Sequence, residues 1–370
     1  MNTTKAIAIG VSFGCLCLAI NVQAQNVQYK FDPEWPKLPL PDQWWMQGVT
    51  GLYVDHEDNI WVLNRPSNLN NTENYAQLDP PVAECCVAPP TVIMFDVEGN
   101  VVRSWDTQEG HGMMVDHQGY VWIGSDTVRK FTLDGELVGT IERIPEASPP
   151  EGKYPPGTQM IVDRIEEIRA DETLRELYTI DNYLNGRVLV YDMDTLEFKR
   201  GWGAYGKPLS EIGVVSTDTG GVEFYSSESP DRDIETIPQD FRGHVTLGIS
   251  NDGFVYAADR RGNRIQVFTK QGEFQKEFFL APSTRQRGSA GGVAFSHDAE
   301  QRFLIIPDIQ NNTIWILNRD DGTVVSRVGS AGDNGGQFHG LHMLDVDSSG
   351  NLYTGEVQQG ERVQRFRLVH

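Results

Sequence analysis

The sequence predicts an all-β fold: a six-bladed β-propeller, with four antiparallel strands per blade and a ring closed by an N-terminal strand. Three observations predict it. One pattern of residues recurs six times along the chain. Within each copy apolar residues alternate with period two between closely spaced turns, which is the signature of half-buried antiparallel strands. The 370 residues include 37 Gly, 8 Trp, 16 Phe and 12 Tyr, a composition suited to turn-rich sheets.

Residues 1–24 read as a secretory signal peptide. Lys5 gives a basic start, AIAIGVSFGCLCLAI (6–20) is an apolar run, and Val22-Gln23-Ala24 fits a small-x-small cleavage site. The run is too short for a comfortable membrane span. Cleavage near Ala24 predicts a secreted or periplasmic product, with 25–370 as one propeller domain. The full chain's 52 acidic against 31 basic residues give a formal charge of −21, which becomes −22 once Lys5 leaves with the leader. That balance excludes nucleic acid and anionic lipid as partners, since both need a basic face.

Four units are plain: GLYVDHEDNIWVLNR (51–65), GMMVDHQGYVWIGSD (112–126), LGISNDGFVYAADRRGNRIQVF (247–268) and LHMLDVDSSGNLYTGEVQQGERVQRF (341–366). In each, an apolar run ends in Asp or Ser, a polar turn follows, and a second run carries aromatics. Two weaker copies occupy 159–202, with a charged insertion in its turn, and 292–329. Radial closure leaves only short, protected sheet edges. The last unit lacks a fourth strand, and VQYKFD (27–32) belongs to no unit, so it is expected to supply that strand. Insertions near 66–90, 142–158 and 204–243 depart from the repeat and are expected to build one face of the disc. Cys85 and Cys86, the cysteines left after cleavage, are adjacent. A vicinal disulfide, free thiols, and an intermolecular bridge or metal ligand all stay open.

The units can be aligned on the residue ending the first run: Asp55, Asp116, Asp163, Ser250, Ser296 and Asp347. Five residues earlier, at the start of the innermost strand, stand Thr50, His111, Thr158, Val245, Gly291 and His342. Units two, four and six alternate around the ring, so His111 and His342 can converge on the axis with His244, which directly precedes Val245. His339 is the substitute third ligand, because a one-residue offset turns a strand side chain to the other face. Three neutral imidazoles with an open position make a catalytic zinc arrangement. Ten residues after the reference stand Arg65 and Arg260, with Tyr183 near that place in unit three. These second-strand ends return to the same mouth. Arg suits a carboxylate through paired hydrogen bonds, and a Tyr beside cations can serve as a base. His56, His117 and His297 fall in turns and read as solvated.

At these residues the chain resembles an NHL-repeat six-bladed propeller. More closely it is similar to peptidyl-α-hydroxyglycine α-amidating lyase and its bacterial relatives, over nearly all of 27–367. The resemblance implies zinc held by His111 in GHGMMVD, His342 in LHMLDVD, and His244 in GHVTLGIS, displaced by one residue. It implies pocket arginines at Arg65 in WVLNRP and Arg260 in YAADRRGNRIQVF, and a catalytic tyrosine at Tyr183 in TIDNYLNGRVLVY. Calcium is a lesser expectation, because Met343 stands where the family has an Asp for a structural calcium. Gly340 replaces a family Met, and the disulfides of the animal enzymes have no counterparts. The implied function is an exported zinc-dependent lyase-like enzyme acting on a small hydroxylated or carboxylated substrate, or on a peptide. The literal family substrate would give a peptide amide and glyoxylate. Two rivals stand beside it: a lactonase-type hydrolase, whose metal needs ligating carboxylates, and a non-catalytic propeller that binds proteins or glycans.

Overall fold

The computed structural model describes residues 27–69, 73–144, 157–182, 186–212, 239–241, 243–357 and 359–369. Residues 1–24, expected to be a signal peptide, Tyr183 and most of the insertions at 142–158 and 204–243 lie outside these. The described residues contain no α-helix and form six four-stranded sheets.

Strand β1 is Gln28–Asp32. Blade one is β2 (Gly48–Val54), β3 (Ile60–Arg65), β4 (Val92–Phe95) and β5 (Val101–Trp105). Blade two is β6 (Met113–Val115), β7 (Tyr120–Gly124), β8 (Val128–Thr132) and β9 (Leu137–Ile141). Blade three is β10 (Ile165–Asp171), β11 (Glu176–Asp181), β12 (Arg187–Asp192) and β13 (Phe198–Trp202). Blade four is β14 (Val245–Ile249), β15 (Phe254–Asp259), β16 (Arg264–Thr269) and β17 (Phe274–Phe279). Blade five is β18 (Ala294–Phe295), β19 (Phe303–Asp308), β20 (Thr313–Asn318) and β21 (Val324–Val328). Blade six is β22 (Leu341–Val346), β23 (Leu352–Glu356) and β24 (Val363–Val369), completed by β1.

The recurring acid has two jobs, which explains its place in the pattern. Asp55 Oδ1 accepts the backbone N–H groups of Glu57 and Asn59 and so caps the turn, while Oδ2 accepts the indole N–H of Trp61 at 2.8 Å. Asp116 does the same for its turn and for Trp122, and Asp347 for its turn and the Tyr353 hydroxyl. A buried indole or phenol is thereby satisfied by the residue that starts the turn. Ser250 and Ser296 fill the place in blades four and five, accepting the N–H of Phe254 and Phe303.

Each junction between neighbouring blades holds one apolar cluster, so the core is a ring of six packed seams. Closure runs through β1, which pairs antiparallel with β24 from Gln28 opposite Val369 to Asp32 opposite Arg365. Buried Asp32 accepts from Arg365 at 2.8 and 2.5 Å and from Arg367 at 2.7 Å. This charge-assisted clasp binds the two ends of the chain.

Blade three corrects the alignment. Its first strand is β10, so its reference residue is Asp171, and residue Asp163 lies before the blade. The charged stretch Glu172–Arg175 is the turn, not an insertion into it. Five residues before Asp171 stands Glu166, not Thr158. Cys85 and Cys86 pair as a vicinal disulfide beside the bridge between Trp44 and Val87. By the antiparallel strand order, the ends of all three insertions leave from the edge where the innermost strands begin.

Candidate metal centre at the channel mouth

The innermost strands start irregularly, and the irregularity aims side chains at the axis. In β2 the register shifts between Val49 and Gly51, which makes Thr50 the extra residue. In β22 it shifts between Leu341 and Met343, which makes His342 the extra residue. In β10 it shifts between Ile165 and Ile168, and both Glu166 and Glu167 become buried. A bulge breaks the strict alternation of faces and re-aims a side chain. His111 and Gly112 together face Gly124, with Gly112 at φ +70. His244 has φ +56, which turns its ring toward the axis despite the one-residue offset.

Gly112 also sets the spacing between blades two and three. A Cβ there would meet the Glu166 carbonyl oxygen at 2.7 Å and the Glu167 Cα at 2.8 Å. Its absence lets β10 approach, and the His111 Nδ1 then lies 2.8 Å from that carbonyl oxygen. A carbonyl only accepts, so Nδ1 carries the proton of the neutral ring and Nε2 carries a lone pair. Nε2 lies 3.5 Å from Glu166 Oε1. His244 Nδ1 lies 2.9 Å from the same oxygen. The His111 and His342 rings stand edge-on with centroids 4.9 Å apart.

Burial governs the charges. It pushes His111 and His342 down, the latter well below the usual imidazole range, and takes His244 to about 4 with help from the Arg260 guanidinium. Burial alone would raise Glu166, but His111, His244 and Arg260 outweigh it and hold the carboxyl well below its usual range. An anionic carboxylate therefore faces neutral rings. Two of its surroundings are unmatched: Glu166 Oε2 and His342 Nδ1 are buried with no hydrogen-bond partner among the described residues.

His111, Glu166 and His342 present ligand atoms all within 4.8 Å of one another. In the neutral tautomer set by the Glu166 carbonyl, His111 Nε2 and Glu166 Oε1 are two acceptors facing each other across 3.5 Å. Buried acceptors in that arrangement repel unless a cation lies between. Two imidazoles and a carboxylate fit a divalent transition metal such as zinc.

Arg65 and Arg260 belong to the same electrostatic neighbourhood, since both lower His111. Arg65, at the end of β3, donates to the Gly110 carbonyl at 3.3 Å and lies 3.9 Å from Glu109. Arg260 follows β15 and is buried. At the mouth position of blade five a Cβ on Gly291 would meet the Pro307 carbonyl oxygen at 2.6 Å, so the strand pairing there leaves no room for a side chain. His339 points elsewhere: its half-exposed ring pairs with Asp333 at 2.8 Å. The His56 and His117 rings meet in the turns with centroids 4.7 Å apart and planes tilted by 44°, and His117 pairs with Glu172. Glu166 escaped the sequence reading, although counting five back from Asp171 finds it.

No family model matches the chain. Among solved structures, a protein of unknown function from Bacteroides thetaiotaomicron is similar with a TM-score of 0.54 and 16% identity, over 88% of this chain and 70% of that one. That likeness shows a shared fold. A streptogramin B lyase has a TM-score of 0.49 and 12% identity, over 93% and 97% of the two chains. A virginiamycin B lyase from Staphylococcus aureus has 0.47 and 11%, over 87% and 84%.

Proposed function

We propose that this propeller is an exported metal-dependent enzyme of amidating-lyase type, with zinc bound at the channel mouth. The observation that carries the reading is the buried cluster of His111, Glu166 and His342, whose ligand atoms all lie within 4.8 Å of one another. A bound zinc ion supplies a Lewis acid for a substrate oxygen. The chain's own residues do the rest. Arg65 and Arg260 hold the substrate carboxylate or the charge developing beside it. Tyr183, two residues beyond the end of β11, is the base that takes the proton of a substrate hydroxyl.

The step balances without a redox partner. The hydroxyl loses its proton and its C–O becomes C=O. The bond from that carbon to a nitrogen or oxygen leaving group breaks, and the leaving group takes up a proton. The substrate class is thus a small α-hydroxy acid derivative carrying an amide or similar leaving group. The resemblance to the amidating lyases at His111, His342, Arg65, Arg260 and Tyr183 is what suggests this chemistry.

One observation favours a second reading. A lactonase-type hydrolase calls for a carboxylate at the metal, and Glu166 is one. The test is turnover of an N-acyl-α-hydroxyglycine and of a simple lactone in heavy-oxygen water. A lyase releases glyoxylate with no solvent oxygen in its initial products, whereas a hydrolase places solvent oxygen in the new carboxylate. Turnover of neither, in protein holding one metal per chain, would return the chain to the non-catalytic binding propellers.

A further inference from the structure

We infer that Glu166 is the third protein ligand of the mouth metal, and that His244 is a positioning residue that holds this carboxylate without ligating. This rests on the reading that the mouth holds a metal, and it departs from the three-imidazole set that the resemblance implies.

Distances separate the two roles. Two ligands each roughly 2.1 Å from a tetrahedral zinc stand about 3.4 Å apart. His111 Nε2 and Glu166 Oε1 are 3.5 Å apart, close to that edge. His244 Nδ1 and the same oxygen are 2.9 Å apart, which is the length of an ordinary N–H···O hydrogen bond. An ionised carboxylate only accepts, so His244 Nδ1 carries the proton and only its Nε2 keeps a lone pair. Nor does His244 join the set of ligand atoms within 4.8 Å of one another, which is His111, Glu166 and His342.

The surroundings agree. Ligating carboxylates are themselves hydrogen-bonded by neighbours that fix their orientation, and His244 is placed to do this. The Glu166 side chain is 1% exposed. Its Oε2 has no hydrogen-bond partner among the described residues, so the carboxylate has capacity left for a cation. The β10 bulge delivers Glu166 to the axis between the blades that carry His111 and His244. A divalent ion so held keeps one net positive charge, with Arg260 beside it to draw in an anionic substrate.

The experiment uses the full mature protein, stripped with a chelator and titrated with zinc and then with cobalt. Wild type is expected to take up one metal per chain. Glu166→Gln should lose at least about 100-fold in affinity or change the visible cobalt spectrum. Glu166→Asp, which keeps a carboxylate, should retain more of both if the Gln variant folds poorly. His244→Ala should weaken binding about 10–100-fold, as loss of a hydrogen bond to a ligand does, yet show the wild-type cobalt spectrum at saturation. His244→Asn, whose amide can still donate, should recover part of the affinity. The inference is overturned if His244→Ala changes the cobalt spectrum while Glu166→Gln leaves it intact; the metal reading then survives with three imidazoles. A wild type that binds neither ion overturns both.

Discussion

Glu166 and Glu167 are neighbours on one bulge, yet they face opposite electrostatic settings within the same channel. Glu167 is met by Arg169, whose Nη1 lies 2.6 Å from Oε1 and also donates to the Ile168 and Met113 carbonyls. Asp345 shares that arginine's field and accepts the N–H groups of Val54 and Val346, each at 2.9 Å. Burial pushes Glu167 up to about 7 and raises Asp345, with Arg169 opposing both. The lower cluster thus carries its own fixed cation. Glu166 instead accepts from His244 Nδ1, faces His111 Nε2 at 3.5 Å, and keeps one oxygen with no hydrogen-bond partner among the described residues. Burial alone therefore does not mark a site. The mark is a buried charge whose partners do not complete it without something added.

The largest expected effect tests the lower half of that contrast. Arg169→Met removes the internal cation and leaves two buried carboxylates. At pH 8 it should cost roughly 3–5 kcal/mol in a denaturant titration, while leaving zinc stoichiometry unchanged in protein that remains folded. A loss below about 1 kcal/mol would mean that the channel is wet enough to screen Glu167 and Asp345.

Next comes the upper half. A metal that binds only the folded chain stabilises it by about 2.7 kcal/mol at a free concentration of 100 times its Kd. Chelation should therefore lower the Tm of wild type, and His111→Ala should abolish that response. An unchanged response in His111→Ala would place the stabilising ion elsewhere.

Asp345 gives a smaller, pH-resolved effect. Its folded-state pKa is raised above the ordinary value of 3.8. Its contribution is then fully present below about pH 4 and is lost as the pH rises through the raised folded value. Asp345→Asn should flatten that part of the stability profile, each unit of displacement being worth about 1.4 kcal/mol. The lowered pKa values of His111, His244 and His342 act in the opposite direction, so the difference between wild type and variant is the quantity to read.

The smallest effect belongs to His339. Its ring is half-exposed and paired with Asp333, so His339→Ala should change stability by less than about 0.5 kcal/mol and leave metal affinity unchanged. A loss of metal in that variant would redraw the site around blade six.

The blades were legible because Asp55, Asp116 and Asp347 each tie a turn to an aromatic side chain, a coupling that leaves a fixed spacing in the sequence. The closing strand was legible because Tyr29 and Phe31 alternate with polar residues and had no other unit to join. Blade three was misaligned for a physical reason. Its innermost strand, Ile165–Asp171, puts two glutamates and an arginine into the channel and so lacks the apolar run that marks the others. Glu166, Glu167 and Arg169 thus stand where apolar residues would have located the strand. His244 was ambiguous because strand alternation predicts the wrong face, and a positive φ, invisible in the sequence, reverses that outcome.

The most direct test of the account is a crystal structure of metal-loaded protein with anomalous scattering recorded at the zinc absorption edge. The account predicts one peak at the mouth, roughly 2.0–2.2 Å from His111 Nε2, a His342 ring nitrogen and a Glu166 carboxylate oxygen. No peak there, or a peak at the surface pair His56 and His117 instead, would contradict it.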